Sequence, residues 1–243
     1  MTHATPEIED LYRFKNVAFD VAQIYGVTTP QGIARAKRSL NRAAISLVSK
    51  GRKWSWLKVV GSFDTIVDEI EYSLSDVEKI HQMWIQDTNR RVLDEVTDEK
   101  FTKAVPDRTE ASGTPSCYRE EGVDSNGDKI ISLYPVPSEV EEIFYRYTRR
   151  INPINNDEQD IRVAWGIPPS VLEPLTLLAA AMCCQGSNQR KYTELKLEAE
   201  AEIERAYAED QHSPNKVYRA PIHGAAPRDD GPQLPPTYSD NGL

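Results

Sequence analysis

Residues 51–65 read GRKWSWLKVVGSFDT, two tryptophans in a basic stretch that ends one periodic pattern and precedes another. Trp54-Ser55-Trp56 either offers a surface for stacking nucleotides or joins a helical part of the chain to a sheet. What lies on each side has to decide.

Upstream the period is helical. Thr5-Pro6 and Thr28-Thr29-Pro30 each place an N-cap residue before a proline at the first helical position. The first predicts a helix carrying Ile8, Leu11, Tyr12, Val17 and Val21 and ending near Gly26. The second predicts one with Ile33, Leu40, Ala44, Leu47 and Val48 on a face, its arginines opposite, ending at Gly51. Together they read as an antiparallel pair.

Downstream the period becomes two. Ile66, Ile70, Tyr72 and Leu74 alternate with Val67, Glu69, Glu71 and Ser73, Asp68 being the one polar break, which predicts a strand. A second runs from Val77 to Ile85 with Val77, His81, Met83 and Ile85 on one side. Tyr118-Arg119-Glu120 leads through Asp124 to Asp128, where Asn126-Gly127 favours a tight hairpin turn, to a return strand Ile130 to Tyr134. Val140 to Thr148 adds a strand in which Ile143, Tyr145 and Tyr147 alternate with Glu142, Phe144 and Arg146. The middle third is thus an antiparallel sheet or small barrel, broken by polar loops such as Asp107 to Ser116.

Helix returns at Trp165-Gly166-Ile167-Pro168-Pro169-Ser170, where Ser170 and Glu173 have capping-box spacing and Pro174 disturbs the first turn. Leu175 to Cys184 is apolar nearly all round and belongs in a core or between subunits. Gly186-Ser187-Asn188 breaks it before a long amphipathic helix, Gln189 to Asp210, with Leu195, Ala199, Ile203 and Ala206 as its stripe. Residues 211–243 hold Pro214, Pro221, Pro227, Pro232, Pro235 and Pro236, the composition of an extended arm. That arm is either disposable or ordered on a partner, with Tyr218, Ile222, Leu234 and Tyr238 as apolar anchors. The fold class is α+β: a helical bundle from 1–53 and 165–210, an inserted β domain over 54–164, and a C-terminal arm over 211–243.

The 243-residue chain can bury a real core. Its longest uncharged apolar run falls far short of a membrane span, and MTHATPEIEDLYR lacks a signal-peptide layout, so a soluble protein that stays where it is made is expected. Cys117, Cys183 and Cys184, an odd count with two adjacent, point to a reducing compartment and buried thiols. The net charge of −9 is unevenly spread. Between Asp20 and Asp64 there is no acid, while Arg35, Lys37, Arg38, Arg42, Lys50, Arg52, Lys53 and Lys58 lie there; the region from Glu194 to Asp210 is rich in acids. Such polarity suits self-association or a charged partner better than general nucleic-acid affinity.

Signs of catalysis are thin. There is no G-x-S-x-G elbow, phosphate-cradling glycine loop or H-E-x-x-H pair, and His3, His81, His212 and His223 are scattered. Asp68, Glu69 and Glu71 read as a solvated strand face. No enzyme, metal or cofactor is expected. Arg35, Lys37, Arg38 and Arg42 form the best candidate partner-binding face; a DNA-binding regulatory or packaging protein using helix 33–53 is one alternative.

The order of features resembles the head-to-tail adaptor proteins of tailed bacteriophages. WSWL precedes a strand ending in a Y-x-L element, here Glu71-Tyr72-Ser73-Leu74. An L-Y-P-x-P strand, Leu133-Tyr134-Pro135-Val136-Pro137, leads into the tyrosine-rich strand of Tyr145 and Tyr147, and Ile167-Pro168 opens the C-terminal helices. The likeness covers residues 6–210, with Ser75-Asp76 in place of the usual proline or glycine and a longer, more polar 88–116 region. It implies a structural virion protein, made in the host bacterial cytoplasm and placed in the neck. There, homo-oligomeric rings, usually of about twelve copies, sit beneath the portal protein, extend the DNA channel and dock tail or nozzle proteins. DNA would pass without sequence-specific binding, and no membrane is involved. Another neck ring, a tail terminator, is the nearest alternative. Under this resemblance Trp54 and Trp56, with Tyr72, Tyr145 and Tyr147, read as the hydrophobic joint between helices and sheet.

Overall fold

The computed structural model describes residues 11–49, 51–86, 90–97, 99, 111–212 and 218–219. Helix α1, Phe14–Tyr25, buries Phe14, Val17, Ala18, Val21 and Ala22, and ends where Gly26 takes φ 90° and donates to the carbonyls of Ala22 and Gln23. Thr5-Pro6 lies outside the described residues, and residues 11–13 are not α-helical. The helix begins later than the sequence suggests because its first N–H groups find tertiary acceptors: Phe14 N donates to Gln159 O at 2.9 Å and Lys15 N to Asp157 O at 3.1 Å. Helix α2, Pro30–Ser49, starts as expected, Thr29 Oγ1 accepting from Gly32 N at 3.2 Å.

A short 3-10 turn, Ser55–Leu57, hands the chain to strand β1, Lys58–Asp64. Strands β2, Glu71–Leu74, β3, Val77–Ile85, and β4, Arg91–Glu95, follow. After them come β5, Ser112–Gly113, β6, Cys117–Val123, β7, Lys129–Tyr134, β8, Val136–Pro137, and β9, Glu142–Arg149. Helices α3, Ile161–Trp165, α4, Pro169–Cys184, and α5, Gln189–His212, then lead to a two-residue strand β10, Tyr218–Arg219. The main sheet has eight strands in the order β10-β1-β9-β3-β4-β6-β7-β2, and β5 pairs with β8 apart from it. Most pairings are antiparallel, but β4–β6 and β1–β10 are parallel. The sheet curls: the Phe63 ring of β1 lies 5.0 Å from that of Tyr72 in β2, although the two strands are far apart in the hydrogen-bonded order.

Several expectations are corrected. The strand read over 66–74 is real only from Glu71; Glu69 N closes a turn on Ile66 O, and Asp68 adopts φ 64°. Strand β1 is an element the sequence reading did not include; at Gly61 a Cβ would stand 2.8 Å from Tyr145 Cζ, so glycine leaves room for the Tyr145 side chain of the neighbouring β9. His81 faces outward, not inward: register shifts between Val77 and Lys79 and between Ile80 and Gln82 bury Ile80 in its place. No capping box forms at Ser170, because the helix starts earlier, behind Pro168, without a side-chain cap. Helix also returns sooner than Trp165, at α3, which Asp160 caps by accepting from Arg162 N at 2.7 Å. Cys183 and Cys184 are buried, whereas Cys117 is half-buried.

Two apolar cores result. One gathers Phe14, Leu40, Leu47, Trp54, Trp56, Leu57, Ile151, Trp165, Leu175 and Ile203, from α1 to α5. The other holds Val59, Tyr72, Met83, Ile131, Leu133, Ile143, Tyr145 and Tyr147, all in the sheet. The chain changes core between Leu57 and Val59 and changes back between Tyr147 and Ile151.

Candidate interaction surface between helix and sheet

Trp54 and Trp56 are each 1% exposed and sit wholly in the helical core. Trp54 meets Tyr207 of α5 edge-on at 5.1 Å and donates from Nε1 to Leu47 O at 3.3 Å, pinning the end of α2. Asp210 holds the turn from the other side, accepting from Ser55 N at 2.6 Å and Ser55 Oγ at 2.5 Å. Rings buried this way have no face to offer a base. Tyr72, Tyr145 and Tyr147 lie in the sheet core instead.

The four basic residues of α2 separate into two pairs. Lys37 Nζ lies 2.6 Å from both carboxylate oxygens of Asp157, and Arg35 donates to Gln185 O at 3.1 Å while stacking over Tyr25. These two hold α2 to its neighbours. Arg38 and Arg42 are exposed and make no ion pair among the described residues. Of the proposed anchors, Tyr218 falls in β10, beside Val59, and Ile222, Leu234 and Tyr238 lie outside the described residues.

Arg38, Arg42, Ile45 and Ser49 follow one another at steps of four, three and four, so they share a face of α2. That face runs into a groove of about 630 Å³ lined by Ile45 and Ser49 on one side and by β3 and β9 on the other. Its floor includes Val48, Leu57 and Ile151; its rim carries Lys53, Lys58 and Lys79, with Glu78 as the one carboxylate in the lining. Sheet register explains the clustering: Lys58 of β1 and Lys79 of β3 both pair with Thr148 of β9, placing two lysines in one row on the strands that flank β9. Neither they nor Lys53 makes an ion pair among the described residues. Arg52, by contrast, is bound to Glu204, and Arg150 to Gly127 O and Asn152 Oδ1.

His81 reports the field there. Its Nε2 is 2.7 Å from Thr148 Oγ1, and burial first, then the charges of Lys79, Lys58 and Arg146, hold it below the ordinary imidazole value. A protonated ring would add a further charge to an already positive surface. The exposed basic face of α2 was legible in the sequence; its continuation was not, because Lys79 and Thr148 join it only through strand pairing.

The fold is a mixed α+β one, with five α-helices bounded among the described residues and a curled, mostly antiparallel sheet. The profile of the SU10 adaptor protein family matches residues 16–223, and the chain belongs to that family, one of phage head-to-tail adaptors. Among curated proteins, none matches the chain. Among the described residues no helix is long and apolar enough to cross a membrane.

Proposed function

We propose that this chain is a non-catalytic structural subunit of the neck of a tailed phage. Copies close into a ring of about twelve under the portal, which extends the DNA channel and docks tail or nozzle proteins. The observation that carries this is the family match across residues 16–223, nearly the whole described chain. The two cores support a division of labour: helices from both ends form one unit and the sheet between residues 58 and 149 another. Residues 211–243 serve as an arm that orders on portal or neighbour. The acid-free stretch between Asp20 and Asp64 and the acid-rich one from Glu194 to Asp210 could supply the complementarity that a head-to-tail ring contact needs. DNA slides through without sequence-specific contacts.

The test is native mass spectrometry of the full chain, alone and with the portal protein encoded beside it. A portal ring that gains about twelve copies supports the proposal. A small, stable oligomer that ignores the portal and binds duplex DNA in a salt-sensitive way would replace it with the DNA-binding alternative, for which the exposed Arg38 and Arg42 would be the contact.

A further inference from the structure

The groove between α2 and the sheet combines two properties that rarely serve one ligand by chance. Its rim lysines, Lys53, Lys58 and Lys79, are exposed and unpaired among the described residues, and its floor is aliphatic. A phosphodiester backbone would satisfy the rim but would leave Val48, Leu57 and Ile151 facing a polar strand, which gains nothing from them. An amphipathic protein segment with acids flanking an apolar side chain satisfies both.

The chain carries such a segment. On α5, Leu197 is 63% exposed, the side chain of a large aliphatic residue left in water. Glu194, Glu198 and Ala201 share its face at helical spacing, and all three are exposed. Glu198 makes no ion pair among the described residues, and Glu194 has only an exposed i,i+4 partner, Arg190. The inward stripe of the same helix, Ala199, Ile203 and Ala206, is already used by the helical core, so Leu197 has no role in its own subunit's core.

We infer that the groove of one copy receives the Glu194–Leu197–Glu198 face of α5 from the next. Leu197 enters the aliphatic floor, and the two carboxylates meet the lysine rim. Groove and helix face share no residue, so the contact is heterologous, the kind that generates a ring when its rotation closes. The lysines steer and select the neighbour; burial of Leu197 supplies much of the adhesion. This inference rests on the ring reading above and adds the surfaces that meet.

The test uses charge-reversed full-length chains: Lys58→Glu with Lys79→Glu, and Glu194→Lys with Glu198→Lys. All four positions are exposed, so the melting temperature should stay near that of the parent. Each variant alone is expected to lose assembly, on the portal or free, by roughly tenfold or more in subunit affinity. An equimolar mixture of the two is expected to recover it as an alternating ring, because every contact is again between unlike charges. Leu197→Asp should weaken assembly without rescue by either. Reversed variants that assemble like the parent, or a mixture that fails to recover, would overturn the inference while leaving the adaptor reading intact. A parent chain that neither self-associates nor joins the portal would overturn both. Loss of DNA retention on reversing the lysines, with rings unchanged, would assign the groove to phosphate instead.

Discussion

Trp54 and Trp56 are equally buried neighbours, yet the structure predicts that they differ sharply in what they contribute. Replacing either by phenylalanine removes the same indole portion, worth about 1–1.5 kcal/mol in lost burial and cavity. Trp54→Phe also deletes the hydrogen bond from Nε1 to Leu47 O, a carbonyl in the last turn of α2. That adds about 1 kcal/mol, for a total of roughly 2–2.5 kcal/mol. Trp56 Nε1, by contrast, is buried and finds no acceptor among the described residues. Holding that N–H away from water costs about 1–2 kcal/mol, so Trp56→Phe relieves a penalty that offsets the lost volume and should come out near zero. The assay is urea unfolding at neutral pH followed by far-UV circular dichroism, which does not depend on which indole is missing. Midpoints are compared only where the slopes agree. A Trp56→Phe cost equal to or above that of Trp54→Phe would refute the reasoning.

Gly61→Ala should destabilise by roughly 1–3 kcal/mol, since its Cβ would press against the Tyr145 ring at 2.8 Å; in a Tyr145→Leu background the same change should cost clearly less, and equal costs would refute the contact. His81 is held below its ordinary value, so the unfolded chain takes up the proton first. Stability should be unaffected by this residue above the ordinary histidine value of about 6.5 and should fall as pH drops through it. Thermal melts of His81→Gln should lose that part of the acid-side decline, and parallel curves for parent and variant would show the residue plays no part.

What the sequence made legible was whatever a single element decides for itself. The start of α2 at Thr29-Pro30, the hairpin at Asn126-Gly127, where Gly127 takes φ 81°, and the stripe of α5 all follow from local pattern. What it hid depends on a second element. Strand β1 was missed because its alternation passes through Gly61, whose lack of a side chain makes sense only with Tyr145 lying over it. His81 was placed on the wrong side because a register shift is a property of two strands, β3 and β9, and leaves no mark in one. The start of α1 is set by carbonyls of Asp157 and Gln159, more than a hundred residues away in sequence. The candidate surface followed the same rule: the basic run Arg35, Lys37, Arg38 and Arg42 could be named from the sequence, but not which two of them tie α2 to its neighbours, and the lysine row on the sheet could not be named at all.

The passage of the chain into and out of the sheet has a mechanical meaning. It enters at Lys58 and leaves at Arg149, and Lys58 stands opposite Thr148 on the neighbouring strand. Two antiparallel strands pulled apart from one shared end open like a zipper, a rung at a time, which is the weak direction for a sheet. Here both tethers are clamped before the first rung: Trp54, Trp56 and Leu57 on one side, Ile151 and Ile154 on the other, all in the same core. Tension applied to the helices is therefore held by packed side chains and does not reach the ladder until that clamp has given way.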